Sequence, residues 1–399
     1  MAKILFTRFP LESALGGAEI QTVSLMEGLA KKGHAVAFAG SCHVLLHMCK
    51  ERGIPAIALD IGPPPVTKWG ALSFAWRKKQ MLRQLQELLH GFRDLDAVFM
   101  LSLTEKLLLT PMLTTPQIPR PRTPVLPYSR IPAFWIEHDR VGRWLTKNPW
   151  LPRLRALSRQ ATTVAVSDLS RKIYLDLGWD PAKTIAIPNG IDLSRFSTEP
   201  KSLRSHPEEK QARPSDALTS RPPFSPREKG DRGMRVGCVA RLSHEKGVDI
   251  LIEAVKSLEG VTLSIVGKGH EETMLRDRAR ENSRIRFLGH VDDLAAFYGS
   301  VDALVLPSRN HDPFGLVAAE AMAAGLSVVV TDACGIADYL SDGNDALIAG
   351  AGDAAGLRTK IEMLRDPALR HRMGEAARKT AMTRFSVESM VDRYDALLR

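Results

Sequence analysis

An α/β fold with two doubly wound, Rossmann-like domains is what this sequence predicts, and three observations carry the prediction. The chain has 399 residues, enough for about two domains at roughly 100–200 residues each. Short apolar runs alternate with segments of helical periodicity, first from residue 3 to beyond residue 168 and again from Met234 onward. Such alternation builds a parallel sheet with helices on both faces. Between the two runs, residues 197–233 break the pattern.

Residues 3–8 read as a buried strand. A helix begins near Ala18, with Ile20, Val23, Leu25 and Leu29 at helical spacing and Gly33 as its stop. Further strands are expected at 35–39, 55–60, 95–101, 131–137 and 162–166. Helices are expected near 43–52, over 68–90 and from Ser167-Asp168, with a Pro-rich loop over about 111–127. In the second run the strands fall near 235–240, 261–266, 284–288, 302–306 and 326–330. Helices near 247–258, 270–281, 292–299 and 314–324 lie between them. Right-handed crossovers make both sheets doubly wound. The domains are thus 1–196 and 234–380. Phe385, Val387, Met390, Val391, Tyr394 and Leu397 give 381–399 the pattern of a helix that packs back toward the first domain.

The segment 197–233 holds Pro200, Pro207, Pro214, Pro222, Pro223 and Pro226, many charges and few large apolar residues. It cannot bury enough surface to offset its ordering entropy, and reads as a mobile linker or insertion. Charge is spread unevenly along the chain. Residues 1–195 carry 26 Lys and Arg against 15 Asp and Glu, and the remainder 29 against 30. A basic first half suits an anionic partner: nucleic acid, a lipid surface or a phosphorylated substrate. No nucleic-acid recognition motif accompanies it, so nucleic acid is not an expected partner.

Cys42, Cys49, Cys238 and Cys334 include no C-x-x-C pair, which points to reduced thiols in a cytoplasmic protein. Cys42, His43, His47 and Cys49 lie close together but lack metal-site spacing, and read as part of an amphipathic helix. Met1-Ala2-Lys3 leads directly into a strand with no secretory pattern, and no run approaches a membrane span.

Ligands of open α/β sheets collect beyond the carboxyl ends of the strands. The loop after the first strand ends in Gly16-Gly17-Ala18-Glu19, where backbone N–H groups can approach an anion at a helix N-terminus. Arg241 and Lys246 leave the first strand of the second domain and enter a helix. Two cations there can clamp a diphosphate and stabilise charge growing on it as it departs. Asp312 and Glu320 stand eight residues apart around Gly315, the first in a loop and the second about two turns into a helix. Carboxylates in that position accept hydrogen bonds from sugar or ribose hydroxyls. Glu320 is flanked by Val317, Ala318, Ala319, Ala321 and Met322, so it is buried and requires a hydroxyl or basic partner.

Together these segments resemble the retaining family 4 glycosyltransferases of the GT-B fold. The resemblance is carried by Ala240-Arg241-Leu242-Ser243-His244-Glu245-Lys246-Gly247-Val248-Asp249, by Ile265-Val266-Gly267-Lys268-Gly269 and by Phe287-Leu288-Gly289-His290-Val291-Asp292-Asp293. It continues through Pro307-Ser308 to Ala324-Gly325, with Gly16-Gly17-Ala18-Glu19, Val166-Ser167 and Ile187-Pro188-Asn189-Gly190-Ile191-Asp192 upstream. It implies that Arg241 and Lys246 bind the pyrophosphate of a nucleotide-sugar donor and that Glu320 holds the ribose. Gly17 and Gly315 would approach phosphate or sugar, and Val291 would lie at the nucleobase. His138, in Ile136-Glu137-His138-Asp139, falls where the family has a histidine near the reacting sugar. Asp312 replaces the family's usual glutamate, and its shorter arm can retune donor choice.

The resemblance further implies transfer with retention to a glycan or lipid-linked acceptor and no metal cofactor. The alternatives are a GT-B-like sugar-nucleotide epimerase and a degenerate, non-catalytic binding protein. Asp94-Leu95-Asp96 precedes its strand and sits at the wrong end of the sheet for a metal-binding D-x-D motif. Lys68, Arg77, Lys78, Lys79 and Arg83 lie with Trp69, Phe74 and Trp76. Further on, Arg140, Arg143, Lys147, Arg153, Arg155 and Arg159 accompany Trp144 and Trp150. The mixture suits peripheral attachment to an anionic membrane surface on the cytoplasmic side, if the tryptophans face outward. Trypsin is expected to cut first within 197–233; early cleavage elsewhere, with that segment intact, would move the domain boundary.

Overall fold

The structure, a computed structural model, describes residues 1–9, 16–62, 65, 68–92, 94–114, 131–196 and 233–399. The expected linker lies outside the described residues except for Gly233. The first sheet comprises β1 (Lys3–Arg8), β2 (Ala35–Gly40), β3 (Ala56–Ala58), β4 (Ala97–Met100), β5 (Ala133–Glu137), β6 (Thr162–Ala165) and β7 (Thr184–Ala186). Their order is β3-β2-β1-β4-β5-β6-β7, and every neighbouring pair is parallel. The helices between them are α1 (Gly17–Lys31), α2 (His43–Glu51), α3 (Lys68–Gly91), α4 (Leu103–Thr114), α5 (Arg143–Thr146), α6 (Leu151–Ser158) and α7 (Asp168–Asp176). Helices cover both faces, so central strands carry consecutive apolar residues: Ile4, Leu5 and Phe6 are all buried. Phe6, Phe99 and Phe134 stack across three adjacent strands with centroid spacings of 4.8 and 4.7 Å.

The second sheet follows the same plan. Its strands are β8 (Met234–Val239), β9 (Val261–Val266), β10 (Ile285–Gly289), β11 (Ala303–Leu306), β12 (Ser327–Thr331) and β13 (Leu347–Ala349), in the order β10-β9-β8-β11-β12-β13 and again parallel. Its helices are α8 (Val248–Lys256), α9 (Glu272–Ala279), α10 (Leu294–Ser300), α11 (Leu316–Ala323), α12 (Ala354–Met363) and α13 (Pro367–Arg384). In both sheets the strand order reverses beside the first strand, β1 or β8. The crevice this opens at the carboxyl edge is where such folds take ligands.

The last helix, α14 (Val387–Ala396), leaves the second domain. Met390, Val391 and Tyr394 are buried with Val23, Leu25 and Met26 of α1. Lys32 Nζ reaches Asp392 at 2.6 Å and His34 Nε2 meets Asp395 at 2.8 Å. The return crossing runs beside the outgoing chain. Ile191 N donates to Phe385 O at 2.7 Å, and Val387 N donates to Ile191 O at 3.1 Å.

The structure adds elements that the sequence reading lacked, among them helices α5, α6, α12 and α13. β7 and β13 are three-residue edge strands, too short to show a period. Helix α4 occupies the start of the expected Pro-rich loop and continues past Pro111 to Thr114. A proline inside a helix forfeits one hydrogen bond, but Leu107, Leu108, Leu109 and Leu113 are all buried in the core and hold the helix through it. The rest of that loop lies outside the described residues. The Cys42–Cys49 cluster does not converge: both cysteines are buried, while His47 faces out toward Glu51. Asp96 accepts from Lys3 N at 2.7 Å at the amino edge of the first sheet, away from the crevice.

Gly190 lies at the double crossing, where a Cβ would stand 2.6 Å from the Val387 Cα and 2.8 Å from the Ser386 carbonyl oxygen. Gly190→Ala therefore has to displace α14. It is expected to destabilise the protein by about 1–3 kcal/mol, read as a lowered urea midpoint; an unchanged midpoint would show that this contact does not hold the helix.

Candidate functional site

The two carboxyl edges face each other, and two helix N-termini meet between them. A Cβ on Gly17, the first residue of α1, would stand 2.7 Å from Leu316 Cδ1, on the first residue of α11. Each N-terminus carries unsatisfied N–H groups and the positive end of a helix dipole, so the crevice favours an anion. Gly315 precedes α11 with φ of 98°, a left-handed conformation that side chains resist. It turns the chain so that the helix N-terminus points into the crevice.

Lys246 Nζ lies 2.6 Å from Asp312 Oδ2, which also accepts from Ser308 Oγ at 3.0 Å. The sequence placed the lysine on phosphate and the aspartate on sugar. The structure brings them together and pairs them with each other. Arg241 stays largely exposed, 3.6 Å from Glu245. Glu245 also meets Arg140 from the first domain at 3.6 Å. Burial alone would raise the Glu245 carboxyl, but hydrogen bonds and the flanking Arg140 and Arg241 hold it below its ordinary value.

Glu320 is just over one turn into α11, nearer its start than the sequence spacing suggested. Burial raises its carboxyl above the ordinary value, against the opposing pull of Tyr298 and Arg195. Tyr298 OH donates to Oε2 at 2.9 Å, and Arg195 lies 3.9 Å from Oε1. These are the hydroxyl and basic partners that a buried glutamate requires. Val291, just beyond β10, is partly buried against the same apolar cluster as Leu316 and Val317, leaving an apolar wall at that end of the crevice.

His138 follows the carboxyl end of β5. Both ring nitrogens are shut away from solvent without a hydrogen-bond partner among the described residues. Burial, with Arg8 and Lys106 nearby, pushes its pKa down to about 3; the imidazole is neutral at any ordinary pH. Beneath it, Glu137 accepts from Tyr174 OH at 2.9 Å and pairs with Lys106 at 2.8 Å. Arg8, at the end of β1, pairs with Glu19 at 2.7 Å, and Glu19 accepts from Gly16 N at 3.1 Å. Sequence reasoning missed Arg8, Lys106, Glu137 and Tyr174. Arg8 was the one within reach, as a cation closing a strand whose loop leads to paired glycines.

A second missed group is His311. Its Nε2 lies 2.8 Å from Ser170 Oγ of α7, and Ser170 Oγ also donates to Pro313 O at 3.2 Å. Nearby, Asp168 N donates to Tyr339 OH at 3.0 Å. The N-terminus of α7 thus latches onto the loop that carries Asp312. Burial depresses His311 to about 4.

Two parallel sheets with facing carboxyl edges, tied by a returning C-terminal helix, define the GT-B glycosyltransferase architecture. Two family models match the chain, one in each half. Residues 224–380 match the group 1 glycosyl transferases and residues 15–195 match glycosyltransferase family 4. The chain is 37% identical over 164 residues to the lipopolysaccharide core biosynthesis glycosyltransferase LpsE of Rhizobium meliloti, covering 40% of this chain and 48% of that protein. It is 32% identical over 218 residues to the phosphatidyl-myo-inositol mannosyltransferase of Mycobacterium leprae, covering 52% and 51%. The chain thus spans about half the length of these curated relatives. Among solved structures, Anabaena HepE in complex with UDP superposes with a TM-score of 0.74 at 18% identity, covering 100% of this chain and 99% of that one.

His138 and His311 are both depressed below the ordinary histidine value. As pH falls below about 6.5, the unfolded chain takes up protons that the folded protein refuses, and stability falls toward about pH 4. The limiting slope is about 1.4 kcal/mol per pH unit for each histidine. Melting temperature measured from pH 7.5 to 5 should fall less steeply in His311→Asn than in the parent. Parallel curves would show that His311 is accessible to protons in the folded state.

Proposed function

We propose that this chain is a retaining glycosyltransferase that moves a sugar from a nucleoside diphosphate to a hydroxyl of a glycan or lipid-linked acceptor. The reaction serves envelope glycolipid or polysaccharide assembly at the cytoplasmic face of a membrane. One observation carries the reading: two helix N-termini, the Arg241 and Lys246 cations and the Asp312 and Glu320 carboxylates all gather at one crevice between the domains. The names of the similar proteins support it, two of them glycosyltransferases of lipopolysaccharide or phosphatidylinositol and one bound to UDP.

In this reading the donor diphosphate takes Lys246 from Asp312 and draws in Arg241, with the Gly17 and Gly315 turns bringing backbone N–H groups close. Asp312, released, accepts from hydroxyls of the donor sugar. Glu320 holds the ribose, with Tyr298 and Arg195 fixing its carboxylate, and Val291 borders the base. His138, neutral and unpartnered, positions a sugar hydroxyl. The C–O bond to the diphosphate breaks as the acceptor oxygen approaches from the same face, and a departing phosphate oxygen takes the acceptor's proton. Charge on the leaving group is met by Arg241, Lys246 and the helix N-termini, so no metal is assigned. EDTA should leave the rate unchanged, and the anomeric configuration of the product should match that of the donor.

Losing one charge-assisted contact costs roughly 1.5–3 kcal/mol. Lys246→Ala should therefore weaken nucleoside diphosphate binding by about 10- to 100-fold in calorimetry; equal affinity in a folded variant removes Lys246 from the clamp.

The raised carboxyl of Glu320 gives a pH test. As pH falls through that value the carboxylate gains a proton and loses its strength as an acceptor. Ribonucleotide affinity should then fall at a pH above the ordinary glutamate range. Glu320→Gln should bind weakly at neutral pH and lack this acid limb. A variant that keeps both parental affinity and the limb would return Glu320 to a structural role.

A further inference from the structure

Helix α3 presents an apolar stripe to solvent. Trp69, Leu72 and Trp76 are 82%, 64% and 91% exposed. At about 100° per residue they lie within roughly 60° of one another on the helix surface. The remaining large apolar side chains exposed among the described residues are Met1, Ile20, Ile57, Met363 and Met382, which form no such row. A cluster of large exposed apolar groups on one face marks an interaction site rather than ordinary surface.

The opposite face of α3 is committed to the core through Phe74, Met81, Leu85 and Leu89, so the stripe is not a misplaced core. Trp150 packs edge-on to Phe74 at 5.2 Å, and Trp144 Nε1 donates to Arg140 O at 2.9 Å. Both lie partly buried against the core. The tryptophans of this half of the chain therefore divide: Trp135, Trp144, Trp150 and Trp179 pack into the fold, while Trp69 and Trp76 are largely exposed and belong to no core cluster of the described residues.

Charge identifies the occupant. Continuing along the outward face, Lys79 and Arg83 are exposed beyond Trp76, and Glu87 is the one acidic residue in α3. The adjoining helices α5 and α6 add exposed Arg143, Lys147 and Arg153. Indole and leucine side chains bordered by lysine and arginine match the boundary between acyl chains and anionic headgroups. A protein groove would want apolar complementarity without so many uncompensated cations. The stripe occupies the amino-terminal half of α3, which begins just beyond β3 at the carboxyl edge of the sheet, the edge that lines the crevice.

We infer that Trp69, Leu72 and Trp76 insert into an anionic lipid bilayer, with Lys79 and Arg83 resting on its headgroups, and thereby hold the crevice against the membrane that carries the acceptor. The last clause rests on the proposed lipid-linked acceptor; the docking face itself does not. It is tested on the full chain by co-sedimentation with phosphatidylcholine vesicles lacking or containing phosphatidylglycerol. The parent should bind the phosphatidylglycerol vesicles at low salt, and binding should fade at high salt.

Trp69→Ser/Trp76→Ser should lower that partition at least tenfold, and Lys79→Glu/Arg83→Glu should lower it on anionic vesicles. Neither pair should change the melting shift produced by UDP or GDP. A parent that ignores anionic vesicles at low salt overturns the inference, as does binding that survives Trp69→Ser/Trp76→Ser. Parental dimerisation lost in the tryptophan pair, without vesicle binding, would assign the face to a second copy and overturn it too. Failure of the glycosyltransferase reading shows separately, as absence of any nucleotide-dependent melting shift in the parent.

Discussion

The double crossing of the chain between its two domains is the constraint on which the rest depends. Outgoing residues near Ile191 and returning residues 385–387 are hydrogen-bonded side by side, and Gly190 lets them approach. Past this point α14 buries Met390, Val391 and Tyr394 in the first domain. Two independent sheets could otherwise meet in many orientations. Joined here, they present carboxyl edge to carboxyl edge, and the N-termini of α1 and α11 come into contact. Domains tied by two adjacent strands of chain can still rotate about that tie, which would let the crevice open and close.

The charges around the crevice are paired with one another. Lys246 holds Asp312, Tyr298 and Arg195 hold Glu320, and Glu245 lies between Arg140 and Arg241. A buried charge without a partner is costly, and each of these groups has one. In the proposed function Lys246 and Asp312 are the groups that would turn to phosphate and sugar, so a donor would exchange their ion pair for two ligand contacts. Asp312 in place of a glutamate fits this arrangement: it stands with its carboxylate already at 2.6 Å from Lys246 and 3.0 Å from Ser308.

The first domain combines a rigid interior with a dedicated surface. Lys106, Glu137 and Tyr174 form a buried polar network at the end of β5, and Arg8 with Glu19 forms another at the end of β1. The first is hydrogen-bonded and paired throughout, which rigidifies its loop, and the second is an ion pair; neither reaches the ring nitrogens of His138, which have no hydrogen-bond partner among the described residues. The same domain carries the basic excess of the chain, and that excess accompanies exposed tryptophans on α3.

The sequence by itself determined the two alternating α/β runs, nearly every central strand and the placement of the charged residues that follow strands, because these depend on local periodicity and on the position of a residue after a strand. Arg241, Lys246, Asp312 and Glu320 were legible for that reason. The edge strands β7 and β13 were not, since three residues carry no period, and α4 runs through Pro111 because burial of its leucines outweighs a local preference. Tertiary structure alone decided the partners: Tyr298 for Glu320, Lys106 for Glu137, Ser170 for His311. Each joins residues far apart in the chain, and side-chain contact across such distances is set by how helices pack on sheets rather than by neighbouring sequence. The direction of the tryptophans belongs to the same class. Trp69 and Trp150 have similar basic neighbours in sequence, and only the packing of α3 against the core sends one into solvent and the other inward.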